Sequence, residues 1–103
     1  MKLTSFLEDG KLTVVLTGEI DHHYARDYID SINAKIEAYV PHICILDFGE
    51  VTFMDSSGIA VIINAMRCMN KIDGKLFVGY LREQPKKVFQ AAGLNKLINV
   101  MEE

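Results

Sequence analysis

The stretch FMDSSGI at residues 53–59 places an acidic residue, two hydroxyls and a glycine between two apolar segments. Asp55 or Ser56 can accept a hydrogen bond from the free amides at a helix start, so helix capping accounts for one of these residues. Capping does not account for Ser57 next to Gly58, because glycine in a first turn costs up to about 1 kcal/mol of helix propensity. Such a glycine leaves the hydroxyl accessible and lets another backbone approach closely. The sequence therefore predicts one capping residue and one displayed hydroxyl.

A displayed serine can be a nucleophile only if a base lies beside it. A hydrolase elbow has the pattern Gly-x-Ser-x-Gly, whereas Asp55 stands two positions before Ser57. The three histidines are His22, His23 and His42, and no motif places any of them as a base for Ser57. A small serine hydrolase is therefore kept only as the alternative from a different functional class, and a screen for turnover discriminates it.

Other reaction types have weaker signals in the chain. Asp47 ends an apolar run, as a phospho-accepting aspartate would, but no acidic pair follows an earlier predicted strand. Neither LTGEIDHH nor DSSGIAV matches the phosphate-loop pattern GxxxxGK[ST]. Adjacent histidines such as His22 and His23 point in different directions in a helix, and no further ligand accompanies them. We therefore predict no metal site and no cofactor.

Composition narrows the class of protein. A chain of 103 residues is expected to form one domain, residues 1–103, around one core. With 50% apolar and 24% charged residues, it is expected to fold. A net charge of −3 and a pI near 5.6 give no electrostatic footprint for nucleic acid. The N-terminus is too short and polar for a signal peptide, and no apolar run has the length of a membrane span, so we expect a cytoplasmic protein without a membrane partner.

The first half of the chain predicts a hairpin followed by a helix. KLTSFL and KLTVVLTG flank Glu8-Asp9-Gly10, a hairpin signal, and Gly18 is predicted to end the second strand. Asp21 is predicted to cap the next helix, which ends at Pro41. The apolar residues with helical spacing in that segment are Ala25, Tyr28, Ile29, Ile32, Ile36 and Tyr39.

The second half predicts alternating strands and helices. HICILDF runs almost continuously apolar, as does a strand buried on both faces of a parallel sheet. The serine motif then opens a helix, KLFVGY forms a strand, and Pro85 opens a helix that Gly93 ends. LNKLINVMEE is expected to be a helical turn followed by an edge strand. Together these elements predict an α/β domain with a mixed, mostly parallel sheet, an N-terminal hairpin and helices packed over the sheet.

Three segments carry a resemblance to a known family. LTGEIDHHYA, ILDFGEVTFMDSSGIAVI and AAGLNKLI occur in the order and spacing of the STAS-domain anti-sigma factor antagonists, and the resemblance covers nearly the whole chain. GEIDHH is similar to the sporulation branch, whose members oppose the anti-sigma-F factor. One difference is Ala60, where the sporulation antagonists usually have glycine.

The resemblance implies a switch protein that is not an enzyme. In that family the unmodified antagonist binds an anti-sigma factor that is also a serine kinase, which frees the sigma factor. The kinase then phosphorylates the second serine of the motif, here Ser57, and a PP2C-type metal-dependent phosphatase restores the hydroxyl. A STAS module of another serine-kinase switch, such as a general stress pathway, is the alternative within the fold. The partner-binding residues that the resemblance implies are Asp21, Asp55, Ser56, Ser57, Gly58 and Ile59.

Overall fold

The predicted hairpin opens the chain. In the computed structural model, which describes residues 2–101, β1 (Lys2–Glu8) and β2 (Lys11–Ile20) pair in antiparallel fashion. The two turn residues Asp9 and Gly10 have φ of 52° and 77°, the positive values that a tight two-residue hairpin requires. The prediction that Gly18 ends β2 is wrong. The strand continues to Ile20, and a register shift next to Gly18 accommodates the glycine as an irregularity within the strand.

The first helix begins later than predicted. Residues 22–24 form a turn, and α1 spans Ala25–Tyr39. Its N-cap is Tyr24, which makes no side-chain capping hydrogen bond, so the prediction that Asp21 caps this helix is wrong. The predicted end is confirmed, because Val40 takes a left-handed conformation (φ 44°) directly before Pro41.

The central strand is longer than predicted and runs up to the serine motif. β3 spans Ile43–Met54 and is parallel to β2, whereas only its first five residues pair with β4 (Lys75–Gly79). Its burial is also less symmetrical than predicted. Leu46 and Phe48 are fully buried on the helix side, while Asp47 is half-exposed on the opposite side. The apolar run therefore comes from one fully covered face of the sheet and one partly covered face.

The remaining elements follow the predicted alternation. α2 (Ser56–Lys71) precedes β4, and α3 (Glu83–Ala91) precedes a 3₁₀ turn (Leu94–Lys96) and β5 (Asn99–Met101). Pro85 lies in the first turn of α3, and Gly93, with φ of 75°, lies just past its end. The sheet order is β1-β2-β3-β4-β5, with only the β1–β2 pair antiparallel. The mixed α/β fold and the C-terminal edge strand are thus confirmed, except that Glu102 and Glu103 lie outside the described residues.

A single apolar core joins all three helices to the sheet. Its largest fully buried side chains include Tyr28 of α1, Ile62 of α2 and Phe89 of α3, together with Phe48 of β3. The Tyr28 hydroxyl donates to the Thr17 carbonyl at 2.9 Å, so its one polar group is satisfied in the core.

Among the described residues no helix is long and apolar enough to span a membrane.

The two cysteines lie in different environments, which predicts different reactivity. Burial raises the pKa of the Cys44 thiol to about 12, whereas the partly exposed Cys68 thiol donates to Asn33 Oδ1 at 3.0 Å between α1 and α2. With iodoacetamide at about pH 8, near the ordinary thiol pKa, Cys68 should be alkylated first and Cys44 only when the domain unfolds. Peptide mass spectrometry against time, with a denatured control, measures both rates. Equal rates in the native protein would contradict the buried placement.

Candidate functional site

The carboxyl ends of β2 and β3 bring the two predicted acidic residues to one place. Ile20 and Met54 are register partners at the ends of these parallel strands, and the Asp55 N–H donates to the Ile20 carbonyl at 3.2 Å. Neighbouring strands lie about 4.8 Å apart. Asp21 and Asp55, which directly follow the paired residues, therefore stand next to each other at one edge of the sheet.

Asp55 is the capping residue of the motif. Its backbone is extended, its side-chain Oδ1 accepts the Ser57 N–H at 2.8 Å, and its carbonyl accepts the Gly58 N–H at 3.0 Å. The capping prediction is thereby confirmed and assigned to Asp55 rather than Ser56. One of the few free amides at the start of α2 is consequently already occupied by a carboxylate.

The two serines form the first two residues of α2. Ser56 is exposed and Ser57 is half-buried. The expectation that Gly58 leaves Ser57 as the displayed hydroxyl is not supported by exposure, which favours Ser56, so the choice of Ser57 rests on the family motif. Both serines lie at the start of α2. The position of this helix end is fixed by the Asp55 cap and by the Ile20–Met54 pair at the ends of β2 and β3.

Gly58 is required by the packing of α2 on β3, a role that the sequence did not reveal. It is buried, and a Cβ built at this position would lie 2.7 Å from Met54 Sδ and 2.9 Å from Met54 Cβ. The close approach that this glycine permits is therefore made by the preceding strand of the same chain. Its predicted partner contact remains a prediction, and its observed effect is to seat α2 on β3. Ile59 is half-buried and packs against the core, which leaves part of its side chain at the surface.

Asp21 stabilises the turn between β2 and α1. Its Oδ1 accepts the His23 N–H at 2.9 Å and lies 3.5 Å from His23 Nδ1, while its carbonyl accepts the N–H groups of Tyr24 and Ala25. Although desolvation acts to raise it, the hydrogen bonds from His23 hold the pKa of Asp21 below its ordinary value. Asp21 therefore carries a negative charge at neutral pH, and its backbone follows Ile20, the strand-end residue that pairs with Met54.

The adjacent histidines make their observed contacts with each other, with Asp21 and with Tyr24. The ring centroids of His22 and His23 lie 4.1 Å apart with the planes tilted by 35°, and His23 is largely exposed. Within residues 2–101, neither ring hydrogen-bonds to a serine hydroxyl of the motif. No group of three or more potential metal ligands comes together in that range.

Gln84 is a positioning residue that the sequence analysis missed. From the first turn of α3, its Oε1 accepts the Met54 N–H at 2.9 Å and its Nε2 donates to the Met54 carbonyl at 3.0 Å. The side-chain amide thus replaces a strand partner on the residue that immediately precedes Asp55. No motif marks this glutamine, since its partner is a backbone segment 30 residues earlier in the chain.

Comparison with known proteins assigns the family. The profile of the STAS domain matches residues 7–103. The chain belongs to the STAS domain family. An anti-sigma F factor antagonist of Lysinibacillus sphaericus is 30% identical over 83 residues, which cover 81% of this chain and 71% of the relative. The resemblance noted in the sequence is thereby confirmed.

Two solved structures of one protein extend the comparison to the fold. The anti-sigma factor antagonist SpoIIAA in its unphosphorylated form superposes with a TM-score of 0.85 at 25% identity, covering 99% of this STAS domain and 88% of SpoIIAA. The Bacillus cell fate determinant SpoIIAA in its phosphorylated form gives a TM-score of 0.77 at the same identity, covering 99% and 91%. The STAS fold therefore matches a relative known in both states.

Because Gly58 packs against Met54, its replacement by alanine is predicted to destabilise the protein, although alanine has the higher helix propensity. Gly58→Ala improves propensity by about 0.8–1.0 kcal/mol, but the added methyl displaces Met54 at its Cβ, which cannot move without the strand, and overpacking costs about 1–3 kcal/mol. We expect a lower melting temperature in calorimetry. The control is Ala60→Gly on the exposed side of the same helix, which should lose only the propensity difference. A Gly58→Ala protein more stable than the parent would contradict this packing.

The Asp55 cap predicts a difference between two substitutions. Asp55→Ala removes the acceptor for the Ser57 amide and should cost about 0.5–2 kcal/mol of unfolding free energy, a fall of several degrees in melting temperature for a domain of this size. Asp55→Asn keeps an acceptor oxygen and should stay close to the parent. Urea unfolding of both variants measures the difference. If the asparagine variant lost as much as the alanine variant, charge rather than capping would explain the contribution of Asp55.

Proposed function

We propose that this STAS domain is an anti-sigma factor antagonist switched by phosphorylation of Ser57. The unmodified protein binds a serine-kinase anti-sigma factor and thereby releases a sigma factor. The kinase phosphorylates Ser57 with ATP, which ends binding, and a PP2C-type phosphatase restores the hydroxyl in the cytoplasm. The observation that carries the proposal is a pair of serines at a fixed, accessible helix start, in a chain similar to an antagonist whose structure is solved in both phosphorylation states.

The surroundings of Ser57 favour an effect on the partner rather than on the fold. A phosphate adds roughly −1.5 to −2 charge, and a negative group at a helix N-terminus is favourable by about 0.3–1 kcal/mol. Phosphorylation therefore requires no unfolding of α2. Because Asp55 already accepts the Ser57 amide, that amide cannot neutralise the phosphate without displacing the carboxylate.

Negative charge consequently accumulates at one point of the surface. The phosphate would join Asp55 and Asp21, which the paired ends of β2 and β3 place next to each other. Two unit charges about 4 Å apart interact with roughly 4 kcal/mol at an effective dielectric near 20. In a docked complex, where the partner excludes water from this surface, half of that repulsion between the phosphate and Asp55 would weaken binding more than tenfold, since about 1.4 kcal/mol is tenfold in affinity.

The same edge offers apolar surface for a protein partner. Phe53 is 40% exposed although it directly precedes the buried Met54, and Ile59 remains partly exposed one turn into α2. Aromatic side chains at the centre of an interface contribute strongly to binding energy. Polar Ser56 and Ser57 between these residues fit a docking surface on which a single charge change has a large effect.

Phosphorylation mapping tests the assignment of the modified atom. Incubation with a cognate anti-sigma kinase and ATP should add one phosphate, located on Ser57 by tandem mass spectrometry. Ser57→Ala should abolish modification, whereas Ser56→Ala, the matched control on the more exposed serine, should still be modified. A phosphate on Ser56, or full modification of Ser57→Ala, would refute the assignment.

Binding measurements on substituted proteins form the second arm of this test. In titration calorimetry with the anti-sigma factor and ADP, Ser57→Asp should bind more than tenfold more weakly than the parent at an unchanged melting temperature. Ser57→Asn introduces a neutral side chain of nearly the same size as aspartate and should bind nearly as well as the parent. If the two variants bound equally, charge would not be the signal, and the phosphorylated protein itself would provide the decisive comparison.

A further inference from the structure

One edge of the sheet is long and unprotected. β1 lies at the edge opposite to β5 and pairs with β2 through all seven residues, Lys2–Glu8, without a register shift. It contains no proline and no bulge, two features that commonly prevent edge strands from pairing, and its charged residues, Lys2 and Glu8, lie only at its two ends. Phe6 and Leu7 on this strand are 61% and 45% exposed. An edge of this kind is a template for another strand.

The hairpin geometry identifies the backbone groups that face outward. In a two-residue hairpin the residues that flank the turn, Glu8 and Lys11, form a hydrogen-bonded pair, and such pairs alternate along an antiparallel ladder. Residues 2, 4, 6 and 8 therefore direct their N–H and C=O groups at β2. Leu3, Ser5 and Leu7 direct theirs away from the sheet, where the described chain provides no strand to pair with them.

The sequence of β1 is complementary to itself when it is read in the opposite direction. A twofold axis at Ser5 places Ser5 opposite Ser5 and Leu3 opposite Leu7 of a second copy, so all outward-facing groups pair with outward-facing groups. The same register places Lys2 opposite Glu8 at both ends, which joins opposite charges twice. The remaining pair sets Thr4 against the exposed Phe6. In the register centred on Ser5, the outward-facing hydrogen-bonding groups, the opposite charges and the apolar side chains are therefore all paired.

We propose that β1 is a dimerisation edge, on which a second copy of this chain pairs antiparallel about Ser5 to form a continuous ten-stranded sheet. The interface is isologous, since each copy contributes the same strand. A groove of ≈ 430 Å³ between β1 and α1, lined in part by Leu3, Ala34, Ala38 and Tyr39, lies on the helix side of this edge. Leu7 of the second copy, opposite Leu3, covers the mouth of that groove.

The dimer edge and the serine motif lie on different parts of the molecule. The motif follows the carboxyl ends of β2 and β3, whereas the outward edge of β1 is separated from β3 by β2. Dimerisation therefore leaves Ser57 accessible, and it goes beyond the proposed function. The oligomeric state is measured on this protein alone, so a failure of the dimer proposal is distinguishable from a failure of the phosphorylation switch.

Sedimentation equilibrium of the full chain, from about 1 µM to 1 mM, should show a monomer–dimer equilibrium. Ser5→Pro removes an outward N–H without removing a bond to β2, so it should weaken dimerisation at least tenfold while the melting curve at low concentration stays close to the parent. A protein that remains monomeric over the whole range would overturn the proposal. In that case, loss of anti-sigma factor binding in the Ser5→Pro variant would assign this edge to that partner instead.

Cysteine substitution tests the register. Ser5→Cys places two thiols at a hydrogen-bonded pair, with Cα atoms about 5.5 Å apart, inside the range for a disulfide. Thr4→Cys is the matched control, because two residues of offset separate its Cα atoms by roughly 8 Å, too far for a bridge. Mild oxidation should crosslink the first variant and not the second, against the parent with its native Cys44 and Cys68. A dimer that persists in Ser5→Pro without this crosslink would place the interface elsewhere.

A charge exchange tests the pairing of the strand ends. Lys2→Glu and Glu8→Lys each place like charges opposite one another at both ends of the interface and should weaken dimerisation about tenfold at low salt. The double variant restores opposite charges and should recover the parent dissociation constant. If the double variant were as weak as the singles, the ends would not be neighbours and the register would be wrong.

Discussion

The fixed position of Met54 determines the geometry of the whole candidate site. Its backbone is the register partner of Ile20, the Gln84 side chain binds both its N–H and its carbonyl, and its side chain fills the space that Gly58 leaves open. This residue is fully buried and directly precedes Asp55. Three separate elements, β2, α2 and α3, are thus fixed to one residue, and the serines are displayed from a rigid base.

Much of the fold followed from local sequence signals. The hairpin at Asp9-Gly10, the helix end before Pro41 and the helix between Pro85 and Gly93 were predictable because each depends on backbone conformations or a missing N–H within a few residues. The errors occurred where partners distant in sequence decide. β2 passes through Gly18 because β3 pairs with it beyond that point, and β3 extends to Met54 because β2 and Gln84 supply its hydrogen bonds.

The local roles of the residues around the serine motif were only partly predictable from the sequence. Capping at Asp55 follows from a helix start in the sequence and is observed. Asp21 shows the same residue type in a similar position with a different result, because its carboxylate is satisfied by the His23 amide in a turn before α1 begins. Gly58 and Gln84 act through contacts with Met54 that no local pattern encodes. Position in a motif therefore does not determine the role of a side chain, because tertiary contacts decide what each one does.

The packing of Met54 on Gly58 has an evolutionary consequence. Substitutions at the two positions are not independent, because a larger residue 58 is tolerated only after residue 54 has become smaller, and a smaller residue 54 then leaves a void if glycine is kept. Lineages of this domain are consequently expected to exchange the two residues as a pair or to retain both. Met54, one position before the DSSG motif, is thus coupled to the glycine of the motif, and this coupling limits which substitutions the motif accepts.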